Sequence, residues 1–137
     1  MSNLISYQNE LRLSVAEFRS VLVRSTLAER RPIDDLERLT AMLENADVLM
    51  TARTETDLLV GISRALTDYS YCTYLSDLAV DQAFQRHGIG KELIRQTHLT
   101  CGLRTRLILL SAPKAATYYP HVGFEQHPSC WTIPPTV

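Results

Sequence analysis

The sequence predicts an α/β fold whose sheet is mixed and mostly antiparallel, with a central parallel pair flanked by helices. Three observations lead there. Apolar residues recur at helical spacing through the first third of the chain, and three β-rich segments separated by polar clusters fill the middle. After them come a glycine-containing loop, a helix and a further apolar strand. A strand, a crossover helix and a strand in that order make a right-handed unit with parallel strands, so an otherwise antiparallel sheet becomes mixed.

Each element has a local cause. Ser14 and Glu17 have the spacing of a capping box, and Val15, Phe18 and Leu22 share one helical face, which predicts a first helix over 15–29 stopped by Pro32. A second, shorter helix starts at Asp34, carries Leu36, Leu39 and Leu43 on one face, and ends near Asn45. Residues 48–53, 58–66 and 71–80 are rich in β-branched, aromatic and aliphatic side chains; polar clusters at 54–57 and 67–70 supply the turns. A loop over 81–87 leads into a helix over 90–101, which Gly102 ends, and the apolar run 107–110 reads as a buried strand. A short helix over 114–121 and a closing strand near Phe124 complete the chain.

At 137 residues the chain has the length of one domain, expected to span 1–137. With 45% apolar and 21% charged residues it lacks the signature of disorder. Lys and Arg number 14 against 15 Asp and Glu, a formal net charge of −1 that lacks the electrostatic footprint of a general nucleic-acid binder. No stretch approaches the roughly 20 consecutive apolar residues of a membrane span, and the opening residues lack a secretory pattern. A cytoplasmic protein with neither nucleic acid nor membrane as partner is therefore expected. Cys72, Cys101 and Cys130 are too few and too scattered for a disulfide framework and read as reduced thiols. His121, His127 and Cys130 offer donors that suit zinc but lack a fourth at usual spacing, so no metal is expected.

The most informative segment is Gln85-Arg86-His87-Gly88-Ile89-Gly90-Lys91, between a strand and a helix. A helix start exposes unpaired N–H groups and the positive end of the macrodipole, and glycines let phosphate oxygens approach that backbone. Arg86, His87 and Lys91 add positive charge around the same spot. A Walker A loop needs Gly where Gln85 stands and Ser or Thr where Glu92 stands. A dinucleotide fingerprint needs a small residue where Leu93 stands. Both fail.

What remains is the pattern Q/R-x-x-G-x-G/A, met by Gln85, Gly88 and Gly90 after a strand ending Leu78-Ala79-Val80. This resembles the acetyl-coenzyme A binding segment of the GNAT superfamily of N-acetyltransferases. Downstream, the segment from Ala115 through Tyr118-Tyr119 to Gly123-Phe124 resembles the family's second signature, A-x-x-[FY]-Y-x-x-x-G-F. With the element order from Ser14 to Phe124, the likeness covers nearly the whole chain. Ala112 stands where the family often carries an asparagine.

The resemblance implies an acetyltransferase with acetyl-CoA as acetyl donor, no metal, and direct attack by a primary amine of a small molecule or peptide. It implies cofactor contacts from Leu78, Ala79, Val80, Gln85, Arg86, His87, Gly88, Ile89, Gly90 and Lys91, the backbone N–H groups of 78–80 stabilising charge on the thioester oxygen. Tyr119 occupies the position of the general acid that returns a proton to the departing thiolate, while Tyr118 is read as packing. Asp77, alternating with Ala79 on a face opposite Tyr74, Ser76 and Leu78, either relays a proton through water or pairs with an arginine. The acceptor would lie near Glu29-Arg30-Arg31 and residues 126–131. A non-catalytic acetyl-CoA sensor is the alternative, and a homodimer is left open.

Overall fold

The computed structural model describes residues 4–136. Its elements are β1 (Ser6–Asn9), α1 (Val15–Ser25), α2 (Leu36–Glu44), β2 (Val48–Arg53), β3 (Leu59–Thr67), β4 (Cys72–Val80), α3 (Ile89–Cys101), β5 (Arg106–Ile108) and α4 (Tyr118–His121). The sheet has five strands in the order β1-β2-β3-β4-β5, antiparallel throughout except for the parallel β4–β5 pair. The mixed sheet expected from the sequence is present, but its parallel pair lies at one edge rather than at the centre. The closing strand expected near Phe124 is not formed. There the chain turns through Gly123 at φ 96°, and Phe124 packs edge-on against Tyr119 with ring centroids 5.4 Å apart.

Two apolar cores lie on the two faces of the sheet. One joins Phe18, Val21 and Leu22 of α1 and Leu39 and Leu43 of α2 to Leu49, Ile62 and Ala79. The other joins Ile89, Leu93 and Ile94 of α3 to Val48, Met50, Val60, Ala65 and Leu75. Phe18, Leu22, Leu39 and Leu43 are buried as the helical spacing predicts, whereas Leu36 at the start of α2 is exposed and Val21 joins the core beside them; burying each core side chain is worth about 1.5–3 kcal/mol.

The first helix is shorter than its apolar pattern. Ser14 caps it as expected, accepting from Glu17 N at 3.1 Å, but Glu17 turns its carboxylate to Arg53 instead of back to the cap. At its other end Ser25 Oγ donates to Leu22 O and accepts from Leu27 N, and Thr26 adopts φ 73°. These local bonds compete with the helical ladder, so Leu27–Arg30 becomes a separate 3-10 turn. The second helix is capped by Asp35, one residue after Asp34.

β4 carries an irregularity that matters for the site. Asp77 pairs with Arg64 and Leu75 with Ala65, which leaves Ser76 as an extra residue, a β-bulge. Leu75 and Leu78 consequently both pack toward α3, although three residues apart, while Ala79 packs toward α1 and α2. The bulge thus puts Tyr74 on the same side as Asp77, where strict alternation put them opposite.

Candidate active site

β4 and β5 pair only from Cys72↔Arg106 to Tyr74↔Ile108, and beyond that β4 runs on to Val80 without a neighbour on this side. Which backbone groups face the gap follows from their partners. Ser76 O accepts from Arg31 and Val80 O from Gln85 Nε2, whereas Asp81 N bonds across to Val60 O on β3. With the two-residue period of a strand, Leu78 therefore directs its N–H and C=O into the gap, and Ala79 directs its own toward β3. Of the three residues 78–80, Leu78 and Val80 offer backbone to the gap, while Ala79 is 2% exposed and belongs to the core behind it.

The loop after β4 is held at both ends. Asp81 pairs with Arg24 and accepts from Ala83 N at 2.9 Å, closing the 3-10 turn Gln82–Phe84. Gln85 folds its side chain back onto the Val80 carbonyl at 3.0 Å. Arg86 and Gly88 then take left-handed φ values of 69° and 80°, and the curl delivers the chain to α3. Glu92 N is the first amide bonded back into the helix, to Gly88 O at 3.1 Å, so those of Ile89, Gly90 and Lys91 have no intrahelical partner. Nothing lies within 4 Å of where a Cβ on Gly88 would stand. Arg86, His87 and Lys91 are exposed around this opening. Ile89 is different: its side chain is 2% exposed under α3, so only its amide faces outward.

The gap between the strands is a small cleft of about 60 Å³. Leu75, Ser76 and Leu78 of β4 line one side, Leu109, Leu110, Ala112 and Ala115 come from the segment after β5, and Leu27, Arg31 and Tyr119 complete the lining. A larger cavity of about 360 Å³ lies across the loop, between β1 and the 3-10 turn, lined by Leu4, Ile5, Tyr7, Phe84, His87 and Ile89. The smaller one is the candidate reaction site, because it joins the free edge of β4 to Tyr119. The Tyr119 ring sits edge-on to Tyr118 at 5.3 Å and to Phe124 at 5.4 Å. Burial pushes its hydroxyl above the ordinary tyrosine value, with neighbouring Tyr118 adding to the rise and the Arg31 guanidinium opposing it. Tyr118 reaches the other way: its hydroxyl stands 2.5 Å from where a Cβ on Gly90 would be.

Asp77 is fully buried and does not line the cleft. Its Oδ1 accepts from Arg31 Nε at 2.5 Å, and its Oδ2 accepts from Arg64 Nε. Arg31 also donates to Ser76 O at 2.7 Å and Arg64 to Ser76 Oγ at 3.0 Å, so both guanidiniums grip the bulge. Of the two readings open for Asp77, the arrangement is the arginine pair.

Residues 20–130 match the profile of the acetyltransferase (GNAT) domain family. The chain belongs to that family. It is 28% identical to a histone acetyltransferase of Glycine max over 72% of this chain and 47% of the relative. The chain spans about half the length of the curated relatives it matches. A GNAT family acetyltransferase from Streptococcus pneumoniae shares the fold with a TM-score of 0.69 at 19% identity, covering 95% of this chain and 98% of that one. An aminoglycoside N-acetyltransferase in complex with CoA does so with a TM-score of 0.70 at 16% identity, covering 100% and 98%.

Within this GNAT domain, sequence reasoning missed Arg64 and Ser76 as parts of the site and left Arg31 at its rim. The one signal for them was Asp77, the single charged residue of its strand, which demands a cation once buried. Among the described residues no helix is long and apolar enough to cross a membrane, and no group of three His, Cys, Asp or Glu, His121, His127 and Cys130 included, stands close enough to hold a metal ion.

Proposed function

We propose that residues 1–137 form one acetyl-CoA-binding domain that moves an acetyl group to a primary amine of a small molecule or peptide by direct attack. The observation that carries this reading is the meeting of three things around one gap: the free backbone of Leu78, the unbonded amides at the start of α3, and the Tyr119 hydroxyl. The fit to coenzyme A rests on the opening before Gly88, which a side chain would fill, and on the exposed cations around it. Bound there, acetyl-CoA supplies a thioester whose C–S bond breaks as the amine forms the new C–N bond. The chain itself orients and polarises. The amides of Ile89, Gly90 and Lys91 hold pyrophosphate, the Leu78 N–H faces charge developing on the thioester oxygen, and Tyr119 gives its proton to sulfur and regains one from solvent. The amine proton leaves to water. Three free cysteines suit a reducing compartment, and we place the protein in the cytoplasm.

Acetyl-CoA raises the melting temperature on this reading, since a ligand bound only to the native state stabilises it by RT ln(1 + [L]/Kd), while ATP and NAD do much less. A larger shift with either nucleotide sinks the assignment. Gly88→Val tests the loop itself. A branched side chain at φ 80° costs roughly 1–2 kcal/mol of strain and fills the opening, so the variant stays folded with a modestly lower melting temperature and loses coenzyme binding in calorimetry. Unchanged affinity in a folded variant would falsify the phosphate-cradle role. Binding of acetyl-CoA without transfer to any amine returns the sensor reading.

A further inference from the structure

Among the described residues, the cleft is lined by one cation, Arg31, and by no carboxylate. Asp77 lies between Arg31 and Arg64, so two cations flank one anion. Arg64 is the inner of the pair, its side chain 8% exposed and its Nη1 turned to Met42 O. Arg31 lines the cleft, and the surplus charge is presented through it. Nε donates to Asp77, Nη1 to Arg30 O and Nη2 to Ser76 O. A guanidinium has five N–H donors, so each terminal nitrogen of Arg31 keeps one for a ligand. At the rim, Glu29 pairs with Lys114 and adds no unpaired anion. Apart from Arg31, the lining is apolar except for Ser76 and Tyr119.

Resting on the acetyltransferase reading above, we infer that the acceptor is an amine that also carries a carboxylate, of amino-acid type, with the carboxylate held by Arg31. Two physical effects point the same way. A carboxylate reaching the terminal nitrogens of Arg31 makes charge-assisted hydrogen bonds in a partly desolvated cleft. A fixed cation there disfavours the ammonium form of the acceptor and so favours the neutral amine that attacks, without a dedicated base. A polycationic amine meets the opposite situation, repelled by Arg31 and offered no acid for its other ammonium groups. Asp77 serves this as a positioning residue, fixing Arg31 from behind.

The test is thiol release from acetyl-CoA with a panel of amino acids, their carboxamides and spermidine, with rates compared per neutral amine. The expected result is a kcat/KM for the best amino acid at least about ten-fold above its carboxamide, the scale of one charge-assisted hydrogen bond. Arg31→Met brings the ratio of kcat/KM for the amino acid over its carboxamide down toward one, chiefly through the acceptor KM; Arg31→Lys retains part of the preference. The melting shift given by coenzyme A stays as in wild type in both variants. Should Arg31→Met fail to fold, the wild-type comparison decides alone. Faster use of the carboxamides or spermidine, a preference that survives in Arg31→Met, or no acetylation of any amino acid by a protein that binds coenzyme A overturns the inference while the family reading stands. Absence of coenzyme binding in the wild type overturns the inference and the proposed function alike.

Discussion

Tyr119→Phe lowers kcat with a working amine by about 10²–10⁴-fold and leaves acetyl-CoA affinity near that of wild type. The substitution removes one hydroxyl and keeps the ring that packs against Tyr118 and Phe124, so the wall of the cleft is retained. The direction of the hydroxyl's shift fits the role. The protonated, neutral form is the active one, and burial raises the value above 10.0, so the donor keeps its proton throughout the neutral range. In wild type the alkaline loss of activity that belongs to Tyr119 therefore falls above pH 10, and in the variant that limb disappears. Tyr118→Phe is the comparison: its hydroxyl lies at the start of α3, and turnover at saturating acetyl-CoA stays near wild type. Full turnover in Tyr119→Phe, with chemistry shown to be rate-limiting, returns Tyr119 to packing and transfers its role to water.

Asp77→Ala costs about 3–5 kcal/mol of folding stability in urea unfolding. The reason is what remains behind: the Arg31 and Arg64 guanidiniums, held together by a fully buried carboxylate, are left facing each other without it. Asp77→Asn keeps the shape and loses the charge, and its cost falls between Ala and wild type. The same variant separates the two readings of this residue. If Asp77 accepts the amine proton, Asp77→Asn loses turnover at every acceptor concentration; if it fixes Arg31, the loss appears mainly in the acceptor KM. A stability change below about 1 kcal/mol in Asp77→Ala contradicts the buried ion-pair account.

The parts legible in the sequence are those where side-chain pattern and backbone demand coincide. Phe18, Leu22, Leu39 and Leu43 mark their helices because the same face is buried in the core. Gly88 and Gly90 mark the loop because one needs a left-handed backbone and the other borders the Tyr118 hydroxyl. β1 was invisible for a physical reason: Ser6–Asn9 is a polar edge strand with mostly exposed side chains, joined to the sheet through backbone bonds that any sequence can make. Phe124 misled in the opposite direction, since an aromatic residue after Gly123 reads as a strand yet fills space beside Tyr119. The β4 bulge at Ser76 leaves no mark in composition, and without it the side of the strand that holds Asp77 cannot be read by counting alternate residues. Arg31 and Asp77 are 46 residues apart, and only the folded chain brings them together.

β5 joins the sheet through three residues, whereas β3 is nine residues long and paired on both flanks. The outer wall of the cleft, from Leu109 through Ala115 to Tyr119, follows that short attachment and is otherwise held by the packing of Leu109 and Tyr119 on the core and by the Lys114–Glu29 pair. Free energies of local opening follow how much pairing and burial must be given up, so this wall opens at a lower cost than the paired body of the sheet. The inner wall on β4 moves only with the body of the sheet. The proton donor and the charged acceptor clamp thus belong to units of unequal rigidity, and a ligand spanning them gains part of its affinity by losing the outer unit's freedom.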